Sequence, residues 1–176
     1  MGLRAHPGTR LKIFWLRARG RIRIGERARI GGRVWVHGGG RVSIGRDVVL
    51  DGTTAPIELG TSRGAVIEIH DGAQIDGGVS IESVERITVG RRAHLGAFTK
   101  VMDTHFHTAQ DRTPAVLRSR PVTVGDEAEV GERSILLPGT ELGTGVILLP
   151  RTVASRRVPA GVVLAGNPPR RVDAQP

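Results

Sequence analysis

The chain contains no cysteine and no tyrosine. Without cysteine there is no disulfide framework, no thiolate zinc site and no cysteine nucleophile. Aromatic residues are scarce: Phe14, Trp15, Trp35, Phe98 and Phe106 are the whole set. Lysine occurs only at Lys12 and Lys100, so 24 of the 26 cationic residues are arginine. No apolar run approaches the ~18 residues of a membrane span. Ile13–Leu16 is too short for the apolar stretch of a secretory signal. The sixth position, Ser or Thr in a myristoylation pattern, carries His6. Both readings lead to the expectation of a cytoplasmic protein.

Glycine and charge are what the chain has in plenty. Glycine fills 25 of 176 positions, roughly twice the usual ~7%. It has no strict three-residue period, which excludes collagen. Together with 10 prolines it interrupts most helices of three turns or more, which excludes a helical bundle. Hydrophobic residues, at 39%, suffice for a core, and the length suits one domain. The net charge of +9 suits an acidic partner. Few aromatics and no recognised motif speak against nucleic acid.

A six-residue period decides the fold. From Val124, steps of six reach Val130, Leu136, Leu142, Leu148, Ala154 and Ala160, all apolar. Four residues after the first six come Ala128, Ser134, Thr140, Val146, Thr152 and Val158, all small or β-branched. Shorter bursts precede these: Ile24, Ile30, Val36; Ile69, Ile75, Ile81; Val89, Leu95, Val101. Such a period fits neither a helix nor simple alternation. It predicts an all-β parallel β-helix with three flat faces, one hexapeptide per face, the aliphatic residue inside and the small residue at the corner. Three hexapeptides make a coil of about 18 residues. The interval from Val89 to Val124 is far longer, which predicts a loop protruding near 102–120. So long an excursion from a regular solenoid is more often functional than decorative. It carries His105 and His107.

Residues 1–20 are expected to form a basic N-terminal cap segment, 21–165 the β-helix and 166–176 a C-terminal tail. The segment Arg4–Arg23 is basic with an apolar centre. Its first reading is a short helix over the open end of the prism. A sharper reading is a peripheral membrane contact.

The hexapeptides of Ile24–Val101 and Val124–Ala160, the run Leu95–His107 and the ending Val158–Arg170 with its Ala-Gly-Asn-Pro together resemble the hexapeptide-repeat acyltransferases. More narrowly they are similar to the sugar O-acetyltransferases of the galactoside, maltose and polysaccharide type. The resemblance implies a left-handed β-helix and a homotrimer with active sites at subunit interfaces. Acetyl-CoA would lie in the groove between prisms, with no metal. It also implies His107 as general base on a sugar or glycan hydroxyl, with direct transfer and no acyl-enzyme. Imidazole suits the task because its ordinary pKa lies near neutrality. His105 would orient the acceptor or serve as the base instead, and Asp103 would orient a histidine. By the same resemblance Glu132 offers a main-chain N–H to the oxyanion, Pro150 and Ser155 line the pantetheine channel, Arg156 and Arg170 meet CoA, and Asp76 meets the sugar. His37, His70 and His94 are read as solvent-facing or coil-packing. The alternatives are an amine acceptor, an acyl-carrier-protein donor, a carbonic-anhydrase-like hexapeptide metalloenzyme and a non-catalytic scaffold.

Overall fold

The computed structural model describes residues 6–105 and 119–172; His107 lies outside them. One helix, α1 (Pro7–Ala18), precedes nineteen strands. The first coil is β1 (Ile22–Ile24) and β2 (Arg29–Gly38), and the second is β3 (Arg41–Ile44) and β4 (Val49–Thr61). Then come β5 (Val66–Ile69), β6 (Gln74–Ile75) and β7 (Ser80–Ser83); β8 (Arg86–Val89), β9 (His94–Leu95) and β10 (Lys100–Met102). The fifth coil is β11 (Val122–Val124), β12 (Glu129–Val130) and β13 (Ile135–Leu136); the sixth is β14 (Glu141–Leu142), β15 (Ile147–Leu148) and β16 (Val153–Ala154). The chain closes with β17 (Arg157–Val158), β18 (Val163–Ala165) and β19 (Arg170–Arg171).

These strands make three flat faces. The first is the parallel sheet β1-β3-β5-β8-β11-β14-β17. Strands β6, β9, β12, β15 and β18 form the second face; β7, β10, β13 and β16 form the third. The long strands β2 and β4 run round the corner between these two faces and join them in one sheet.

The register shows why six residues is the period. On the first face Ile24, Ile44, Ile69, Val89, Val124, Leu142 and Val158 stack in one column. On the second, Ile30, Leu50, Ile75, Leu95, Val130, Leu148 and Leu164 stack. On the third, Val36, Leu59, Ile81, Val101, Leu136 and Ala154 stack. Nearly all are fully buried, each stabilising the fold by about 1.5–3 kcal/mol before the entropy of ordering is counted. The small residues close the corners from inside: the Thr140 hydroxyl donates to the carbonyls of Leu137 and Ala154, at 2.7 and 2.9 Å. One position of the six-residue count is corrected. Ala160 is exposed and Val158 takes its place in the column, because the turn after Ala154 is two residues shorter than the others of its coil.

Helix α1 packs on β1 and β2, the strands that would otherwise be the free edge of the solenoid. Pro7 opens it, where a missing N–H costs nothing. Two bonds lay it across the edge: the His6 N–H donates to Gly32 O at 2.7 Å, and the Val34 N–H donates to the buried Thr9 Oγ1 at 3.1 Å. At the other end β19 turns back antiparallel on β18.

Candidate active site

The protruding loop leaves the prism at the corner between the third and first faces. Its two ends are held together at a neck. Thr104 and Ser119 form an antiparallel bridge, and the Arg120 N–H donates to Asp103 O at 2.8 Å. The Ser119 hydroxyl donates to Glu85 Oε2 at 2.7 Å.

Asp103 anchors that neck. It is wholly buried, and its carboxylate accepts four hydrogen bonds from the same corner one coil earlier. The donors are the Ser83 hydroxyl and the N–H groups of Val84, Glu85 and Arg86, at 2.8–2.9 Å. These bonds tie the carboxylate to the corner; of the loop histidines it is expected to orient, His107 lies outside the described residues. No histidine is among its partners in the described residues. Asp103 therefore fixes where the loop begins, and His105, two residues on, starts from that fixed point and is exposed.

A recess of about 320 Å³ lies at the other edge of the third face, at its corner with the second. Asp76, Glu132 and Pro150 line it, as does His94. The last was missed as a site residue. His94 Nε2 stands 2.9 Å from Asp76 Oδ2, both side chains about two-fifths exposed. The pair joins two adjacent coils, since His94 pairs in register with Gln74, two residues before Asp76. The two lie 18 residues apart, two short of the 20-residue coil that sets His94 beside Gln74, so they meet on the diagonal between coils. A carboxylate on one ring nitrogen orients the imidazole. Main-chain N–H groups stand beside the pair at the corner. That of Glu132 has no acceptor among the described residues, so it is open to a ligand. Gly96 is needed here, since a Cβ on it would lie 2.8 Å from that nitrogen.

Ser155 and Arg156 are exposed and sit on the loop's edge of the third face, following β16. Arg170 is exposed on β19, at the far end of the solenoid. The structure thus brings Asp76, Glu132 and Pro150 together with His94. It puts Asp103, His105, Ser155 and Arg156 on the opposite edge of the third face. Among the described residues no three His, Asp or Glu side chains cluster as a metal site, and no helix is long and apolar enough to cross a membrane.

No protein-family model matches the chain. Over 113 residues it is 28% identical to the putative lipopolysaccharide biosynthesis O-acetyl transferase WbbJ of Escherichia coli (strain K12), covering 58% of this chain and 58% of the relative's length. AntD, an N-acyltransferase from Bacillus cereus solved with dTDP and 3-hydroxybutyryl-CoA, superposes with a TM-score of 0.75 and 17% identity, over 100% of this chain and 92% of its own. The hexapeptide-repeat acetyltransferase VCA0836 of Vibrio cholerae O1 biovar eltor, solved with acetyl coenzyme A, superposes with a TM-score of 0.63 and 19% identity, over 73% of this chain and 68% of its own. Coils of opposite hand would not superpose over the whole chain. The chain shares the fold of these solved structures, a left-handed parallel β-helix.

Proposed function

We propose that the protein is an acetyl-CoA-dependent O-acetyltransferase acting on a sugar or glycan hydroxyl. The observation that carries this is the recess at the corner of the second and third faces. There a His–Asp pair and an open N–H line one hollow, on a fold shared with CoA-bound acyltransferases.

In this reading His107 takes the proton from the acceptor hydroxyl, with His105 orienting the acceptor or taking that role itself. The oxygen attacks the thioester carbon. The resulting oxyanion accepts from the Glu132 N–H, and its collapse breaks the C–S bond and releases CoA. Asp76 binds the sugar. Pro150 and Ser155 line the pantetheine path, and Arg156 and Arg170 meet the phosphates. His105 and the recess stand at opposite edges of one face, which supports a site closed between chains. A homotrimer, with the loop edge of one prism against the recess edge of the next, joins the two halves.

A second reading has a specific observation behind it. His94, already paired with Asp76 inside the recess, is placed as a base needs to be. An amine acceptor is the variant that AntD, an N-acyltransferase, suggests.

The test is thiol release from acetyl-CoA against glycosides and amino sugars. The variants are His107→Ala, His105→Ala and His94→Ala. A fall of about a hundredfold or more in His107→Ala alone supports the first reading. A fall confined to His105→Ala moves the base by two residues, and one confined to His94→Ala moves it to the recess. No thiol release by the wild type with any acceptor overturns the assignment.

A further inference from the structure

The amphipathic stripe of α1 faces away from the protein. Leu11, Phe14 and Trp15 are 63%, 65% and 55% exposed, and Ala18 is exposed with them. Their spacing of three, four and seven residues puts all four on one helical face. A helix that merely capped the solenoid would bury such a stripe. Among the described residues, Thr9 and the backbone bond the helix to the solenoid, and the stripe of Leu11, Phe14 and Trp15 is left in solvent. Beside the helix, on β2, Trp35 is 52% exposed and lines a hollow with Thr9 and Val34. Three of the five aromatic residues of the chain thus stand in solvent at one end of the molecule.

The sequence that carries α1 has charge of one sign. Residues 1–25 contain Arg4, Arg10, Lys12, Arg17, Arg19, Arg21 and Arg23 and no Asp or Glu. Directly after α1, the backbone of Gly20–Arg23 leads into a recess of about 290 Å³ that Arg21, Arg23 and Arg41 line. Arg86 at its far side is held by Glu68 at 2.7 Å. Arg19, Arg23 and Arg41 are exposed, and no carboxylate lies within ion-pair distance of them among the described residues.

From this juxtaposition we infer that the N-terminal end of the solenoid is a docking surface for an anionic lipid bilayer. Helix α1 lies flat in the interface with Leu11, Phe14 and Trp15 among the acyl chains, and the arginines that follow it meet lipid phosphates. The helix has 12 residues, about 18 Å, which is far short of the ~30 Å hydrocarbon core and suits a helix lying in the plane. Tryptophan favours the headgroup boundary. A second copy of this chain is the weaker occupant, because Arg19, Arg21 and Arg23 would then face their like charges at short range. A soluble polyanion would satisfy the arginines and leave the apolar stripe in water. The surface is separate from the recess at His94 and does not depend on the acetyltransferase reading.

The experiment is co-sedimentation of the full chain with vesicles of phosphatidylcholine alone, or with about a third phosphatidylglycerol, at low and high salt. The variants are Phe14→Ser with Trp15→Ser, and Arg19→Gln with Arg23→Gln. All four side chains are exposed, and an unchanged melting temperature verifies folding. Binding is expected to anionic vesicles only and to weaken with salt. Each double variant is expected to lower it by about tenfold or more. In Trp35→Phe, where Trp15 is the one remaining tryptophan, anionic vesicles are expected to shift the emission to the blue. Absence of binding, equal binding to both vesicles, or variants that bind like the wild type would overturn the inference. Loss of self-association in the Phe14/Trp15 variant without any vesicle binding would assign the stripe to a second copy. Binding to an acidic polysaccharide that outcompetes vesicles and ignores the Phe14/Trp15 change would assign the arginines to a glycan.

Discussion

The first and third corners of the prism obey different rules. From each core residue of the first face to the next on the second, the interval is six residues in all seven coils, from Ile24–Ile30 to Val158–Leu164. At the corner from the third face back to the first, the interval is eight at Val36–Ile44, ten at Leu59–Ile69, 23 at Val101–Val124 and four at Ala154–Val158. The first corner is closed by backbone lying on backbone. A Cβ on Gly25 or Gly125 would lie 2.6 Å from the backbone carbon of the coil above. Arg27, Asp47, Arg92 and Glu127 take positive φ there, and ion pairs lace the outside. The third corner also has close backbone contacts, at Gly38 and Gly40 against Thr61 and Ala65, but they are confined to one coil, and its length varies. The difference teaches where a solenoid can carry function. The rigid corner sets the stacking, and the variable one holds the loop with the histidines.

Inserting three residues at each corner in turn would break this comparison most directly. An insertion of Gly-Ser-Gly between Gly125 and Ala128 should cost about 3 kcal/mol or more, because neighbouring coils must separate. The same insertion between Leu137 and Thr140 should cost about 1 kcal/mol or less, as expected for a surface loop. Denaturant midpoints of the two proteins decide the matter, and equal losses would show that the corners do not differ. Next in size, Asp103→Ala should cost roughly 3 kcal/mol by leaving buried donors at 83–86 unpaired. It should also reduce thiol release by moving the start of the loop, whereas Asp51→Ala, at the second corner, should spare both.

The smallest effect concerns the ion pairs of the first corner. Asp47 hydrogen-bonds Arg27 at 2.7 Å and Asp71 hydrogen-bonds Arg46 at 2.8 Å; Arg92 pairs with Glu127. Hydrogen bonding from the arginines holds the carboxyls of Asp47 and Asp71 below the usual carboxylate range. A depressed folded value gives stability that is full above the ordinary carboxylate value and is lost as pH falls through the folded one. The melting temperature should therefore decline more steeply below about pH 4 in the wild type than in Asp47→Asn with Asp71→Asn. The pairs are exposed, so the difference should be small and should shrink in salt.

The stacked columns were legible in the sequence because the core residue recurs wherever the first and second corners keep their length. The runs from Ile69, Val89 and Val124 land in the columns as counted. The slip at Val158 was hidden because Ala160 is apolar too, and apolarity alone cannot tell an inward residue from an exposed one. The 25-residue spacing from Ile44 to Ile69 signalled an insertion, and the structure puts three of its extra residues between Leu50 and Leu59, inside β4. At the candidate site, Asp76, Glu132 and Pro150 were reached through resemblance and do share a hollow. His94 and the anchoring of Asp103 were not reached. Each depends on a partner one coil away, and a linear reading weighs near neighbours first.

The neck at Thr104 and Ser119 gives the loop a property of its own. The chain departs and returns at adjacent points. Closing such an excursion costs an entropy that grows with the logarithm of its length, about 0.6 kcal/mol for each doubling. A loop of different length or sequence can therefore be exchanged at this point while the coils above and below keep their register. The segment between the two ends can be replaced at little thermodynamic cost to the scaffold that carries it.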